Sequence, residues 1–250
     1  MLLAIDVGNT QTVFGLFEGE TISEQFRVGT DRSHTGDELA VMLRAFVDLG
    51  SLDGIALCSS VPPLVREYEL FAERWAGAEL LVIGPGVPTG VAIRYDDPRE
   101  VGPDRIANAV AARARHGAPS VVVDFGTSTN FDVVTPKGEY LGGVLAPGLQ
   151  ISADALFTRA AKLPRVEIAK PPKVVGRNTV HAMQSGIVYG YVGLVDGLVD
   201  RILAELGYPC AVIATGGLAS LIAPLSRTIT AVDDELTLIG LRILYDRNRV

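Results

Sequence analysis

The chain of 250 residues is long enough for one large domain or two compact ones, and its 48% hydrophobic and 20% charged residues are typical of a globular protein. A net charge of -7 without any basic run argues against nucleic acid as a main partner. The opening MLLAI followed by Asp6 lacks the features of a signal peptide, and no apolar run is long enough to predict a membrane span.

The cysteines and histidines do not form a recognisable cluster in the sequence. Cys58 and Cys210 lie far apart in apolar segments, and the three histidines are scattered. This usage favours a reducing, cytoplasmic location and predicts neither a disulfide framework nor a zinc site.

The first half of the chain is predicted to alternate strands and helices. LLAIDVG, TVFGLF and TISEQFRV are predicted as three strands, followed by a helix over residues 37–49 that ends before Gly50. The strand GIALCSS, a helix from Pro62 to about Trp75 and the strand ELLVIG come next. A Pro- and Gly-rich loop leads to a helix over residues 103–116. This alternation predicts an α/β fold.

The pattern then restarts in the second half. SVVVDFG, NFDVVT and YLGGVLAPG are predicted as strands, and a helix is expected from Leu149 to Ala161. A long helix over residues 178–206, the strand AVIATGG and a closing helix over residues 235–245 complete the chain.

A short motif at the end of an apolar strand occurs in both halves. Asp6-Val-Gly-Asn-Thr10 corresponds to Asp124-Phe-Gly-Thr-Ser128. We interpret this as a duplication, with domains over residues 1–115 and 116–250, although chance repetition is the alternative.

Such a motif places a carboxylate beside a tight turn of small residues. The turn can approach phosphate closely, and the carboxylate can hold the accompanying cation. One copy is more simply explained as an ordinary hairpin, whereas two copies favour binding of a nucleoside triphosphate. A third turn, with Gly216 and Gly217, also follows an apolar strand and could accept an adenine ring or simply connect a strand to a helix. The sequence contains neither a Walker loop nor a G-x-G-x-x-G motif after a strand.

In this order the three turns resemble the phosphate-1, phosphate-2 and adenosine motifs of the actin-like superfamily of sugar and acetate kinases. With Gly102-Pro-Asp-Arg105, GGVLAPG at 142–148, Asn178-Thr179 and Gln184-Ser-Gly186, they resemble type III pantothenate kinases over nearly the whole chain. The resemblance implies two related ribonuclease H-like (actin-like ATPase) domains, each a mixed sheet with flanking helices. It also implies ATP-dependent phosphorylation of pantothenate to 4'-phosphopantothenate, the first step of coenzyme A biosynthesis.

The resemblance also implies roles for individual residues. Asp104 corresponds to the catalytic base. The positions that match substrate contacts are Tyr95, Gly102, Pro103, Asp104, Arg105 and Thr179. The positions that match ATP contacts are Asp6, Val7, Gly8, Asn9, Thr10, Gln11, Thr12, Val13, Thr127, Gly216 and Gly217. Asp6 would hold Mg²⁺ through water, and Asp124 would bind a monovalent cation, K⁺ or NH₄⁺.

Several of these residues also have simpler explanations. Asp104 lies where an acidic residue stabilises a helix start, and Thr179 lies where a residue can cap one. Arg105 could form a surface salt bridge, and Tyr95 could be a packing aromatic.

Four glycines at helical spacing predict a close contact of the long helix. Gly186, Gly190, Gly193 and Gly197 lie on one face, and each costs a helix roughly 1 kcal/mol relative to alanine. Either another part of the chain or a second subunit could pack there. The resemblance implies the latter, a homodimer with the substrate pocket near the subunit interface.

Two other functions remain open. One is a nucleotide-dependent regulatory or binding protein on the same scaffold. The other is a kinase for a different small hydroxy acid, because the fold and the ATP site do not determine the substrate.

Overall fold

The structure is a computed structural model that describes residues 1–160 and 162–249. In it the chain alternates strands and helices as predicted. Within these residues, ten strands form two five-stranded sheets. The strands are β1 (Leu2–Val7), β2 (Gln11–Glu18), β3 (Thr21–Gly29), β4 (Gly54–Ser59), β5 (Glu79–Val82), β6 (Ser120–Phe125), β7 (Ser128–Val134), β8 (Tyr140–Pro147), β9 (Ala211–Thr215) and β10 (Ala231–Val232). The helices are α1 (Gly36–Leu43), α2 (Pro62–Phe71), α3 (Pro103–Arg115), α4 (Leu149–Arg159), α5 (Thr179–Leu206), α6 (Ala219–Ile222) and α7 (Leu236–Asn248).

The first sheet has the order β3-β2-β1-β4-β5. Its middle strand, β1, is antiparallel to β2 and parallel to β4. Leu3, Ile5 and Val7 of β1 are fully buried. Helices cover strands of this kind, which explains why β1 and β4 are almost continuously apolar in sequence.

The second sheet repeats this arrangement. Its order is β10-β9-β6-β7-β8, and its middle strand β6 is antiparallel to β7 and parallel to β9. Thus each half contains a three-stranded antiparallel meander extended by two parallel strands. The two related mixed sheets implied by the resemblance are confirmed.

The chain forms two compact units, residues 1–114 with 235–250 and residues 115–234. This grouping differs from the predicted second domain of residues 116–250, because α7 packs on the first unit. Gly240 of α7 lies directly against the backbone of Ala107 in α3, and Tyr245 lies against Gly54 of β4. The chain therefore returns to its first half after completing the second sheet.

The predicted helix over residues 37–49 is wrong at its carboxyl end, since α1 ends at Leu43. The chain leaves the helix in successive turns, and the ring of Phe46 stacks on Phe26 at a centroid distance of 4.4 Å. Gly50 does not terminate α1; its N–H is bound to Asp48 Oδ1 in a separate short turn. The aromatic contact lies far away in sequence, so helical spacing could not reveal it.

The other predicted helices agree closely with the structure. The segment after Pro62 continues beyond α2 as a wider helical turn to Ala76, and α3 and α5 begin at Pro103 and Thr179. α4 begins at Leu149, while the predicted last residue of that helix, Ala161, lies outside the described residues. Among the helices described, none combines the length and the apolar character needed to cross a membrane.

The close crossing of α3 and α7 leads to a first prediction. A Cβ at Gly240 would collide with the carbonyl of Ala107, so Gly240→Ala must push the two helices apart. Overpacking of this kind costs about 1–3 kcal/mol of unfolding free energy, which urea denaturation measures. Gly29→Ala is the matched control, because open space surrounds Gly29 at the end of β3. Equal stability of both variants would contradict the prediction.

Candidate active site

Asp6 lies near the carboxyl end of β1, where the neighbouring strand contacts its side chain. Asp6 and Cys58 are paired in the parallel register of β1 and β4. Cys58 is fully buried, and its Sγ donates a hydrogen bond to Asp6 Oδ1 at 3.2 Å. The thiol therefore fixes one oxygen of the carboxylate and leaves the other for a further partner.

The segment after Asp6 is a tight turn over residues 8–11. Gly8 N donates to Gln11 O at 3.0 Å, and a Cβ at Gly8 would approach the same oxygen to 2.9 Å. Thr30 Oγ1 donates to Gly8 O at 2.8 Å and lies 2.9 Å from Thr12 Oγ1. The turn thus needs glycine at its start and is held from the side by two threonines.

The residues of this motif differ in exposure. Val7 is fully buried and Thr12 nearly so, whereas Val13 is half-buried. Asn9 and Thr10 are exposed at the tip. The strand side chains therefore support the turn, and the tip is the part that a ligand can reach.

Asp104 lies in the first turn of α3 with its carboxylate folded back on the helix start. It accepts hydrogen bonds from its own backbone N–H and from that of Arg105. Gly102 leaves room for this conformation, because a Cβ there would approach Asp104 Oδ1 to 2.5 Å. Asp104 therefore stabilises the helix start, the simpler role that the sequence left open.

The two carboxylates of this unit influence each other. Burial, and secondly the negative charge of Asp104, raises the pKa of Asp6 to about 7, although the Cys58 hydrogen bond opposes the shift. Burial also raises the pKa of Asp104, against its backbone hydrogen bonds and the charge of Arg105. Like charges in a partly buried place disfavour simultaneous ionisation. A cation between such groups would relieve the repulsion.

Three more predicted residues surround Asp104 along the chain. Pro103 is the first residue of α3. Arg105 is only 9% exposed. Tyr95 is half-buried in the irregular segment before α3.

In the second unit, Asp124 lies against the glycine turn that follows β9. Asp124 of β6 is paired with Thr215 of β9 in parallel register. Gly216 follows with φ of 88°, and a Cβ there would approach Asp124 Oδ1 to 2.6 Å and Phe125 N to 2.7 Å. The structure therefore brings the second and third sequence motifs together, with Gly217 exposed beside them.

Thr127 lies at the exposed turn between β6 and β7. Gly126 N donates to Ser128 O at 3.0 Å, and Gly148 N donates to Thr127 O at 3.1 Å. A Cβ at Gly148 would collide with the carbonyl oxygens of Gly126 and Thr127. The end of β8 therefore supports the turn, which we call the phosphate-2 turn (Gly126–Thr127).

Thr179 begins α5 but does not cap it. Asn178 Oδ1 accepts a hydrogen bond from His181 N at 2.8 Å, so Asn178 is the capping residue. Thr179 is exposed and lines a cavity of about 840 Å³ in the second unit. The cavity lies along α4 and α5, and its other lining residues are mostly apolar; they include Leu149, Leu156, Met183, Ile187, Tyr191 and Leu194.

The glycine face of α5 is open in this chain. Cβ atoms at Gly186, Gly190 and Gly193 would meet no atom within 4 Å, and one at Gly197 would meet only the Arg201 side chain, at 3.3 Å. Packing by another segment of the same chain, one of the alternatives from the sequence, is therefore not what the described residues show.

Among the described residues, no group of three or more His, Cys, Asp and Glu side chains is arranged so that it could hold a metal ion.

Two residues of this region received no role from the sequence. Cys58 was interpreted only as a reduced thiol, and Tyr191 only as part of the long helix. Their contacts join residues far apart along the chain, so no local pattern could reveal them.

The chain was compared with known proteins. Residues 2–201 match the model of the family described as type III pantothenate kinase. The type III pantothenate kinase of Myxococcus xanthus (strain DK1622) is 56% identical over 253 aligned positions, which cover 99% of each chain. That of Anaeromyxobacter sp. (strain Fw109-5) is 53% identical over 254 positions, which cover 100% of each.

A solved structure supports the fold. The inorganic polyphosphate/ATP-glucomannokinase from Arthrobacter sp. strain KM has a TM-score of 0.53 and 16% identity, over 99% of both chains. At that identity the likeness concerns the fold alone. It confirms the predicted class of actin-like folds with two mixed sheets and flanking helices.

The raised pKa of Asp6 predicts how stability depends on pH. The folded protein retains a proton to about pH 7 that the unfolded chain releases near its ordinary pKa of 3.8. The contribution of Asp6 to the free energy of unfolding is therefore present in full below about pH 4, and it is lost as the pH rises through about 7. In Mg²⁺-free buffer, Asp6→Asn should remove this part of the pH dependence in urea denaturation.

Glu24→Gln is the control for that experiment, since Glu24 is an exposed carboxylate on β3. It should keep the wild-type pH dependence. If the unfolding free energy of Asp6→Asn depends on pH as that of the wild type does, Asp6 does not titrate in this way.

Proposed function

The chain belongs to the type III pantothenate kinase family, and we propose that its site transfers the γ-phosphoryl group of ATP to the terminal hydroxyl of pantothenate. The product, 4'-phosphopantothenate, begins the synthesis of coenzyme A. The observation that carries this proposal is the placement of Asp6 and Asp104 in one partly buried site. Asp6 can hold the cation that accompanies the phosphates, and Asp104 can accept a hydrogen bond from the substrate hydroxyl.

Asp104 is the proposed catalytic base. Its carboxylate would accept a hydrogen bond from the substrate hydroxyl and orient that oxygen toward the γ-phosphorus. As the new P–O bond forms, the bond to the bridging oxygen breaks, its electron pair leaves with ADP, and the proton passes to Asp104. Such reactions depend more on positioning than on basicity, and the backbone hydrogen bonds at the start of α3 supply this positioning.

Asp6 is the proposed Mg²⁺ residue, acting through water, with Asp104 nearby as the second carboxylate. Mg²⁺ would supply charge neutralisation on the β- and γ-phosphates. The exposed tip at Asn9 and Thr10 would contact the phosphates, while Gly8 and Gln11 shape the turn. The repulsion between the two carboxylates gives this site a physical reason to bind a cation.

We propose that Thr127 contacts the phosphates and that Gly216 and Gly217 offer bare backbone to the adenine ring. Asp124 would bind K⁺ or NH₄⁺, and its carboxylate beside the Gly216 turn supports this assignment.

The proposed substrate contacts suit a molecule with both a hydroxyl and a carboxylate. The guanidinium of Arg105 can pair with a carboxylate through two parallel hydrogen bonds, and its position next to Asp104 supports that role. Tyr95, Gly102, Pro103 and Thr179 are further proposed contacts.

We also propose that the protein is a homodimer joined through the glycine face of α5, with the substrate pocket near the interface. The open space at Gly186, Gly190 and Gly193 supports this arrangement, as does the apolar cavity that Gly186 and Gly190 line. A second copy of α5 could approach closely there. A cytoplasmic location is proposed as well, and it is consistent with Cys58 and Cys210, neither of which is in a disulfide.

The reaction predicts pantothenate-dependent release of ADP. With ATP and Mg²⁺, purified protein should release ADP only when pantothenate is present, and faster in K⁺ than in Na⁺ buffer because of the Asp124 site. A coupled ADP assay measures the rate, and mass spectrometry identifies the product. Nucleotide binding without ADP release in either salt would favour the regulatory alternative. ADP release only with another hydroxy acid would contradict pantothenate as the substrate.

Asp104→Asn tests the role of the proposed base in the same assay. Its kcat should fall by about 10²–10⁴-fold while ATP binding and thermal stability stay near wild type, because asparagine keeps an oxygen for the helix start. Glu100→Gln, an exposed carboxylate shortly before α3, should leave kcat unchanged. Normal kcat in Asp104→Asn would leave Asp104 only its role at the helix start.

Gly190→Leu tests the dimer. The leucine would occupy the space that a second α5 needs, so the variant should sediment as a monomer without loss of helical content. Glu205→Leu adds the same side chain at an exposed position of α5 outside the glycine row and should remain dimeric. A wild-type protein that sediments as a monomer at micromolar concentration would contradict the proposal.

A further inference from the structure

Tyr191 connects the long helix α5 to β7, which follows the phosphate-2 turn, and to the end of β8, which supports that turn. Its side chain is 6% exposed, and the residue lines the apolar cavity. Its hydroxyl lies 2.7 Å from Thr129 Oγ1 in β7 and donates a hydrogen bond to the carbonyl oxygen of Pro147 in β8.

The direction of these two hydrogen bonds follows from simple proton counting. A carbonyl oxygen only accepts, so the single hydroxyl proton of Tyr191 goes to Pro147. The hydroxyl oxygen of Tyr191 then accepts the proton of Thr129 Oγ1. The hydrogen bonds therefore run in one direction, from Thr129 to Tyr191 and from Tyr191 to Pro147, and each of the two hydroxyl protons has a defined partner.

The two partners of Tyr191 lie at the base of the phosphate-2 turn. Thr129 follows Ser128 in β7, and Ser128 is paired with Pro147 in the antiparallel register of β7 and β8. Gly148, the residue after Pro147, donates its N–H to Thr127 O at 3.1 Å. A displacement of Thr129 or Pro147 therefore moves the turn itself.

Pro147 has no N–H to donate to β7, so its carbonyl oxygen is the backbone group through which it can form hydrogen bonds. Thr129 is fully buried, and leaving its hydroxyl or the Pro147 carbonyl without a partner has a free-energy cost. The Tyr191 hydroxyl satisfies both groups at once.

We propose that Tyr191 is a positioning residue for nucleotide binding, which holds the phosphate-2 turn in its binding conformation through Thr129 and Pro147. The proposal rests on the assignment of Thr127 as a phosphate contact. It requires no contact between Tyr191 and the nucleotide.

Tyr191→Phe is the decisive variant, because it removes the hydroxyl and retains the ring. Titration calorimetry with Mg²⁺ and a non-hydrolysable ATP analogue in K⁺ buffer should show a Kd raised about tenfold, the scale expected when buried polar groups lose a partner. In steady-state assays the KM for ATP should rise similarly, with the KM for pantothenate unchanged. A purely structural role would lower thermal stability and leave the Kd and the KM for ATP at wild-type values, which would overturn the proposal.

Matched variants distinguish the loss of these hydrogen bonds from general effects of substitution on the helix. Tyr189→Phe removes a hydroxyl from a half-buried tyrosine on the same helix and should keep the wild-type Kd. Thr129→Val should weaken analogue binding as Tyr191→Phe does, and Thr129→Ser should restore it. The double variant of Tyr191→Phe and Thr129→Val should be no weaker than either single one. Additive losses would overturn the proposal.

The readouts also distinguish this proposal from the proposed function. If the wild-type protein binds the analogue but does not phosphorylate pantothenate, the function fails, and the calorimetric comparison still decides the role of Tyr191. If the wild-type protein binds no analogue, the positioning role fails as well.

Discussion

The burial of the Asp6 carboxylate close to that of Asp104 is the constraint on which the contacts around both side chains depend. Two carboxylates in a partly buried place oppose each other's ionisation, and the pKa of Asp6 rises to about 7 as a result of burial and of its neighbour. A fold that keeps such a pair must supply compensating contacts. The Cys58 thiol supports one carboxylate, and the start of α3 supports the other.

These compensating contacts depend in turn on packing far from the carboxylates. Asp104 keeps its place only while α3 does, and α3 is held by α7 through the close contact of Ala107 with Gly240. Thr237 of α7 adds a hydrogen bond to the buried Asn108 of α3, at 2.7 Å between Oγ1 and Oδ1. The last helix of the chain therefore helps to position a residue in its first half, which explains why α7 returns to the first unit.

The two halves share a sheet topology but use their equivalent carboxylates differently. Asp6 faces a thiol on the parallel neighbour β4 and a second carboxylate at a helix start. Asp124 faces instead a glycine with positive φ after the parallel neighbour β9. The first environment concentrates negative charge, whereas the second brings bare backbone close to one carboxylate. The same sheet topology thus gives the two equivalent carboxylates different surroundings.

The sequence by itself determined the features that depend on neighbouring residues. The repeated strand and turn at Asp6 and Asp124 and the starts of α3 and α5 are local signals, because turn chemistry and helix periodicity act within a few residues. The alternation of strands and helices predicted an α/β fold, and the resemblance carried by the three turns implied the actin-like class.

Only the tertiary structure decided which distant residues meet. The early end of α1 follows from the stacking of Phe46 on Phe26, and the contacts of Cys58 with Asp6 and of Tyr191 with Thr129 join separate strands and helices. Such contacts depend on strand register and helix packing, which sum many weak interactions along the whole chain. A local sequence pattern does not show the combined effect of these interactions, although the positions of the site residues depend on that effect.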